Sequence, residues 1–233
     1  MRTLVILPTY NERENIQLII KEIFVSHPDF QIMVVDDNSP DGTQEVVKEE
    51  MKKYPNLALY GREKKEGLGR AYIDTFKKII REDLADNIIM MDADFSHDIS
   101  YLAPMTERLK KADVVVGSRY ISGGGTEGWE KWRMFLSRWG NIYCRLILNM
   151  PAKDCTAGFY AMRLSALKKI DLNVLDMSGY AFQIELKYLL SKSGAKFDEH
   201  PIIFKNRRSG ESKISNHIIR EGILAPWKLL LRH

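Results

Sequence analysis

Five short apolar runs in the first half of the chain each stop at a polar turn, and residues at helical spacing fill the gaps between them. Thr3–Leu7 ends at Pro8, and Gln31–Val35 ends in the acidic turn Asp36-Asp37-Asn38-Ser39-Pro40-Asp41-Gly42. Leu57–Tyr60, Asn87–Met91 and Asp113–Gly117 complete the series. Between them Ile16, Ile19, Ile20, Ile23 and Phe24 predict one helix, and Thr43–Lys53 a second. Leu68, Tyr72, Phe76, Ile79 and Ile80 predict a third, and Tyr101–Lys111 a fourth. Parallel neighbours need a crossover long enough to hold a helix, so this alternation predicts a mostly parallel central sheet with helices on both faces. Ligands of such sheets bind beyond the carboxyl ends of the strands.

The second half is less regular. Gly123-Gly124-Gly125-Thr126-Glu127-Gly128 predicts a flexible loop, and Phe135, Leu136, Trp139, Ile142, Tyr143, Leu146 and Ile147 a wide apolar helical stripe. Tyr180–Leu190 reads as a helix, Lys196–Phe204 as a strand and Asn206–Ser212 as a loop. The tail from Ile214 is amphipathic, with Ile218, Ile219, Ile223 and Leu224 before Pro226, and Trp227 to Leu231 beside Lys228 and Arg232. It suits docking on the core or contact with a membrane surface, where Trp with basic neighbours is favoured.

At 233 residues, 45% hydrophobic and 28% charged, the chain suits one globular domain. No apolar run reaches the roughly 20 residues of a membrane span. Leu4–Leu7 is shorter than a signal-peptide core of about 7–15 residues, so we expect a cytoplasmic protein that does not itself cross a bilayer. Cys144 and Cys155 lack CxxC spacing, and we expect two reduced, half-buried thiols. The net charge of +4 is mild, and its excess lies late, at Lys205, Arg207, Arg208, Lys213, Arg220, Lys228 and Arg232. Such a region suits phosphates. Nucleic-acid binding would ask for a basic stripe with interleaved aromatic residues, and none is present, so we expect no nucleic-acid partner.

Chemistry-bearing residues recur after the predicted strands. Pro8-Thr9-Tyr10-Asn11-Glu12 follows the first, Asp36-Asp37 the second, Asp92-Ala93-Asp94 the fourth and Arg119 the fifth. In a parallel sheet all of them meet at one edge. Asp92 and Asp94 repel without a cation between them, and a hard divalent ion with oxygen ligands resolves that. Ser96 and His97, just beyond, stand where a shell could be completed. Asp36-Asp37 reads either as a turn before the next helix or as a contact to a nucleotide. There is no GxxxxGK[ST], which excludes a P-loop NTPase, and Gly67-x-Gly69 lacks the rest of a dinucleotide fingerprint.

Read in order, Pro8-Thr9-Tyr10-Asn11-Glu12, Val35 to Thr43, Gly67-Leu68-Gly69, Met91 to Asp94, Gly117-Ser118-Arg119, Asp154 to Phe159 and Gly210 to Lys213 resemble the dolichol-phosphate mannosyltransferase (polyprenol-monophosphomannose synthase) family, over nearly the whole chain. The resemblance implies a single inverting GT-A domain over residues 1–233. It divides into a nucleotide-binding half of about 1–120, an acceptor-binding half of about 121–213 and the tail of 214–233. It implies GDP-mannose as donor, dolichyl or another polyprenyl phosphate as acceptor, and Mg²⁺ or Mn²⁺ as cofactor. By the resemblance, Pro8, Tyr10, Glu12, Val35 and Asp37 fall at guanosine-binding positions. Asp92, Ala93 and Asp94 fall at the diphosphate and metal site. Arg119, Arg207 and Lys213 fall at phosphate-binding positions, with Asp94, Arg119 and Lys213 the expected catalytic groups. Ser96 stands where some relatives place a Gln metal ligand, and it is shorter. Relatives often carry transmembrane helices or use a membrane partner, which implies a peripheral place at the cytosolic membrane face. A polyprenyl-phosphate glucosyltransferase or another GT-A enzyme using a UDP-sugar is the alternative. A sugar-1-phosphate nucleotidyltransferase would carry a Gly-rich basic N-terminal loop, which is absent here.

Overall fold

Alternate residues of the first strand go to opposite cores. The computed structural model describes residues 1–177, 179–206 and 216–232. In β1 (Thr3–Thr9), Leu4 and Ile6 enter one apolar cluster and Val5 and Leu7 the other, as the period of two requires. Helices α1 (Arg13–Ser26) and α2 (Thr43–Met51) follow β1 and β2 (Gln31–Asp36). After β3 (Leu57–Gly61) come α3 (Leu68–Glu82), β4 (Asn87–Met90), α4 (Leu102–Arg108) and β5 (Val114–Ser118). Ile16, Ile19, Ile20 and Ile23 of α1 pack on one face of the sheet, and Tyr72, Phe76 and Ile79 of α3 on the other. The fold is a single-domain α/β GT-A fold.

The chain continues through β6 (Gly125–Thr126), α5 (Lys131–Leu148), β7 (Tyr160–Arg163), α6 (Leu164–Leu167), α7 (Gly179–Lys192), β8 (Phe197–Pro201), β9 (Ile203–Phe204) and α8 (Asn216–Arg232). The large sheet has the order β3-β2-β1-β4-β7-β5-β8. β1, β2, β3 and β4 are parallel, as are β5 and β8, and β7 runs antiparallel between β4 and β5. Its reversed direction puts the residues just before Tyr160 at the same edge as the carboxyl ends of β4 and β5. That reversal brings a segment distant in sequence to the mouth of the sheet.

Several expectations need revision. β7 was not anticipated, because its four residues carry no alternation of their own. The strand expected at Lys196–Phe204 divides after Pro201, which has no N–H to continue a ladder. β8 joins the large sheet, while β9 pairs with β6 in a two-stranded one. The loop expected at Gly123–Gly128 is therefore tied down rather than loose. α4 is shorter than Tyr101–Lys111: a 3₁₀ turn at Ile99–Tyr101, capped by Asp98, takes over its first residue, and it ends at Arg108, where Lys110 N and Lys111 N bond three residues back. Both cysteines are free, and they are fully buried instead of half-buried. Among the described residues no helix is long and apolar enough to cross a membrane.

Gly69 shows how closely α3 is packed near its start. A Cβ there would lie 2.7 Å from the Met177 carbonyl oxygen and 3.2 Å from the Phe182 ring. The backbone of the segment before α7 thus seats directly on α3. Gly69→Ala should lower stability by about 2 kcal/mol, the usual cost of overpacking. Denaturant unfolding checks this, and a variant as stable as the parent would contradict it.

Candidate active site

The edge formed by β1, β2, β4, β7 and β5 gathers the site. At its β1–β2 end the acidic turn after β2 is built tightly. Asp36 is fully buried and accepts from Thr9 Oγ1 (2.9 Å), Ser39 N (2.9 Å) and Gln44 Nε2 (2.8 Å). It is a structural carboxylate, which satisfies the turn backbone and ties β1 to α2. Asp37 is also buried, pairs with the Arg62 guanidinium and accepts from Gly67 N at 3.3 Å. Arg62 is shared with Glu66 (2.8 Å) and Asp74 (3.0 Å). Burial works against the Arg62 charge, yet the Asp37 and Asp74 carboxylates outweigh it and raise its pKa.

Glu12 N donates to Thr43 Oγ1 (3.1 Å) and Glu12 Oε2 accepts from Asn15 Nδ2 (2.9 Å). Tyr10 is 38% exposed, with Lys65 Nζ 3.5 Å above its ring centroid, so a base stacking on the ring would take the other face or displace Lys65. Pro8 is half-buried beside it in sequence, whereas Val35 is buried in the sheet core.

At the end of β4 the chain reverses. Phe95 takes φ +62°, a left-handed conformation that is uncommon for a large side chain. The reversal returns Ser96 onto Asp94, whose Oδ1 accepts from Ser96 N at 3.0 Å and from the Ser96 hydroxyl. Ser96 is fully buried, so it orients Asp94. His97 Nδ1 accepts from Asp92 N at 3.2 Å, and its ring stacks on Phe159 at 4.8 Å. Both residues support the acidic pair from behind.

Across from Asp92 stands Gly158. A Cβ there would lie 3.9 Å from Asp92 Oδ2 and 3.9 Å from Gln183 Nε2, so glycine keeps a polar space open beside the carboxylate. Among the described residues Gln183 Oε1 and the Tyr72 hydroxyl, both buried, have no hydrogen-bond partner. Burial, and then the Asp92 charge, push the Tyr72 pKa well up. A carboxylate with an open, polar space beside it and a second one two residues on fits a hard divalent cation. Among the described residues no group of three or more His, Cys, Asp or Glu could hold a metal, so such an ion would take its other ligands from phosphate oxygens and water.

On the far side of this space lies Arg119, one residue after β5. Its Nε donates to Asp154 Oδ2 (2.7 Å) and its Nη2 to Asp154 Oδ1 (2.7 Å) and Thr156 Oγ1 (2.9 Å). The Asp154 side chain has no exposed surface. Burial works to raise its pKa, but the charge and hydrogen bonds of Arg119 prevail and hold the carboxyl below the usual range. The rings of Tyr120, Trp129 and Phe204 surround the guanidinium at 5.3, 5.5 and 5.7 Å. The result is a cation fixed in orientation by a bidentate carboxylate.

The sequence profile of glycosyl transferase family 2 matches residues 4–171. The undecaprenyl-phosphate mannosyltransferase of Micrococcus luteus is 36% identical over 100% of this chain and 96% of its own. The polyprenol monophosphomannose synthase of Mycolicibacterium smegmatis is 40% identical over 97% of this chain and 86% of its own. This chain belongs to glycosyl transferase family 2. Among solved structures, glucosyl-3-phosphoglycerate synthase from Mycobacterium tuberculosis, in complex with Mn²⁺, UDP-glucose and glycerol 3-phosphate, superposes with a TM-score of 0.67. The match is 17% identical and covers 99% of this chain and 79% of that one. Mannosyl-3-phosphoglycerate synthase from Rubrobacter xylanophilus gives 0.68 at 18% identity, over 100% and 73%.

The family 2 fold thus brings Pro8, Tyr10, Glu12, Asp37, Asp92, Ala93, Asp94 and Arg119 to one sheet edge. Arg207 and Lys213 lie outside the described residues. Residue-by-residue reading passed over three partners as site residues: Arg62, Asp154 and Lys187. Asp154 had a signal, since it opens the Asp154–Phe159 segment. Lys187 had none, because on a helix it resembles any surface lysine. It is fully buried, and its Nζ donates to Ala157 O (2.6 Å), Gln183 O (3.1 Å) and Cys155 O (3.3 Å). It clasps the Asp154–Gly158 segment onto α7.

Burial pushes the Lys187 pKa down to about 7, against the opposing pull of Asp154. The unfolded value is about 10.4, so between these values the unfolded chain binds more protons and stability rises with pH. Relative to Lys187→Met, the parent should gain about 1 kcal/mol per pH unit from pH 7 to 9. Denaturant unfolding at pH 7, 8 and 9 checks this, and a constant difference would contradict it. Asp154→Ala strands Arg119 without its buried partner and should cost about 3–5 kcal/mol. Thermal unfolding measures that loss.

Proposed function

We propose that this glycosyltransferase moves mannose from GDP-mannose to a polyprenyl phosphate, inverting the anomeric centre, at the cytosolic face of a membrane. The observation that carries the proposal is the pairing of an acidic site with a fixed cation at one sheet edge. Asp92 and Asp94 suit a metal-bound diphosphate, and Arg119 suits an incoming phosphate. The relatives named for undecaprenyl-phosphate mannosyl transfer and polyprenol monophosphomannose synthesis support the sugar and the lipid.

Charge explains the division of labour. A phosphate monoester has a second pKa near 6, so at neutral pH the acceptor is already an anionic nucleophile. It needs orientation rather than a general base. Arg119, aimed by Asp154, holds that phosphate in line. On the other side the nucleoside diphosphate must leave with added charge. Asp92 and Asp94 would hold Mg²⁺ or Mn²⁺, which neutralises diphosphate charge when bound. Ser96 and His97 keep the acidic turn in shape for it. Tyr10 stacks on the base, and Pro8, Glu12 and Asp37 with its Arg62 partner frame the guanosine, while Val35, turned into the core, takes no part. Lys213 and Arg207 are assigned to phosphate contact by family resemblance. A single displacement turns an α-linked donor into a β-linked mannosyl phosphate.

A radiolabel assay tests this reading. Purified protein with labelled GDP-mannose, Mn²⁺ and a short polyprenyl phosphate should move label into the organic phase. Chelator should abolish transfer, and Asp94→Ala should lower it by about 10³-fold or more, the scale of losing a transition-state charge contact. Transfer from UDP-glucose but not from GDP-mannose would overturn the donor assignment.

A further inference from the structure

The room beside Gly158 has no explanation in the fold. A Cβ there would meet Asp92 Oδ2 and Gln183 Nε2 at 3.9 Å each, which is ordinary contact, so an alanine would fit without a clash. Gly158 does not take a positive φ either, so its backbone does not demand glycine. What glycine supplies at this position is space. Gln183 of α7 borders that space and is 3% exposed, and among the described residues its Oε1 has no hydrogen-bond partner. The Tyr72 hydroxyl of α3 is buried and equally unpaired, and burial, then the Asp92 charge, keep it a neutral donor. Buried polar groups are costly to leave unpaired and almost always have partners, so two of them near one opening point to a polar ligand group. Both are held rigidly, since the Tyr72 ring stacks on Phe182, next to Gln183, at 5.9 Å.

The chemistry of these groups narrows the ligand. An anion only accepts hydrogen bonds, so it would leave Gln183 Oε1 unpaired and would face the charge of Asp92. An alcohol both donates and accepts, and it satisfies the two ends of the amide. Position narrows it further. Asp92 stands on one side of the space, and Arg119, held by Asp154 of the Gly158 segment, on the other. In a single displacement the sugar lies between the leaving diphosphate and the entering phosphate. The neutral, hydroxyl-bearing part of the donor therefore falls between the two charged sites. We propose that Gln183, with the opening that Gly158 leaves and the Tyr72 hydroxyl, forms the subsite that reads a hydroxyl of the transferred hexose, which makes Gln183 a specificity-determining residue. This inference deepens the transfer reading and rests on it for the identity of the donor.

Gln183→Met and monodeoxy donors together test it. Met keeps the length of the side chain and removes both polar ends, so the variant should unfold within about 2 °C of the parent or above it. With Mn²⁺ its affinity for GDP should stay within about twofold of the parent, while kcat/KM for GDP-mannose falls at least about tenfold. Gly158→Ala should likewise keep its fold and its GDP affinity and lose at least about tenfold in kcat/KM, because the methyl fills the space. The decisive comparison uses the 2-, 3-, 4- and 6-deoxy analogues of GDP-mannose. The parent should disfavour at least one of them by about tenfold or more, and Gln183→Met should use that analogue and GDP-mannose with kcat/KM values within about threefold of each other. A merely structural glutamine would not erase that discrimination. Gln183→Met that keeps the parent's discrimination against all four would overturn the proposal, as would a parent that discriminates against none. A fall in GDP affinity as large as the fall in kcat/KM would also overturn it, by assigning Gln183 to the nucleotide. If the parent uses UDP-glucose and not GDP-mannose, the mannose reading falls, and the same comparison with monodeoxy UDP-glucoses decides the subsite by the same criteria.

Discussion

The buried pair of Arg119 and Asp154 is the constraint on which the rest of the site depends. A carboxylate with no exposed surface is costly to keep ionised, and only a partner held at bidentate distance makes it tolerable. The same bonds fix the guanidinium in return. Thr156 takes a third N–H bond, Asn141 holds Thr156, and Lys187 ties the carbonyls on either side of it to α7. Two helices and two strands thus converge on the orientation of one cation.

This convergence needs β7 to run backwards. Had the strand between β4 and β5 been parallel, the segment from Asp154 to Phe159 would have entered at the opposite edge of the sheet. The antiparallel insertion places Gly158 against Asp92 and Asp154 against Arg119 within a few residues. The acidic side and the cationic side of the site are therefore spaced by backbone geometry. The strained turn at Phe95 belongs to the same design, because it brings Ser96 and His97 back to brace the acidic pair.

Much of the frame is legible from the residues. β1 to β5 and the helices between them declare themselves through period, and their ends carry the polar residues that converge. What escaped has a physical reason in each case. β7 is four residues long and fully paired on both edges, so its identity comes from neighbours and not from alternation. The pairing of Asp37 with Arg62, like that of Arg119 with Asp154, depends on contacts across 25 and 35 residues. Lys187 is a charged side chain in a place where sequence reasoning expects none. The stripe on α5 was visible as apolar spacing, but that Trp132, Phe135, Trp139 and Leu146 face solvent was not, because spacing cannot tell a face turned to the core from one turned to solvent.

The central claim is that Asp154 aims Arg119 at the phosphate of the acceptor. Kinetics of Arg119→Lys, varied against each substrate in turn, test it most directly, since Lys keeps the charge and loses the planar fork. The account predicts a KM for a short-chain polyprenyl phosphate raised by about tenfold or more, with the KM for GDP-mannose changed by less than about twofold. A raised KM for GDP-mannose with an unchanged KM for the acceptor would contradict it and move Arg119 to the donor.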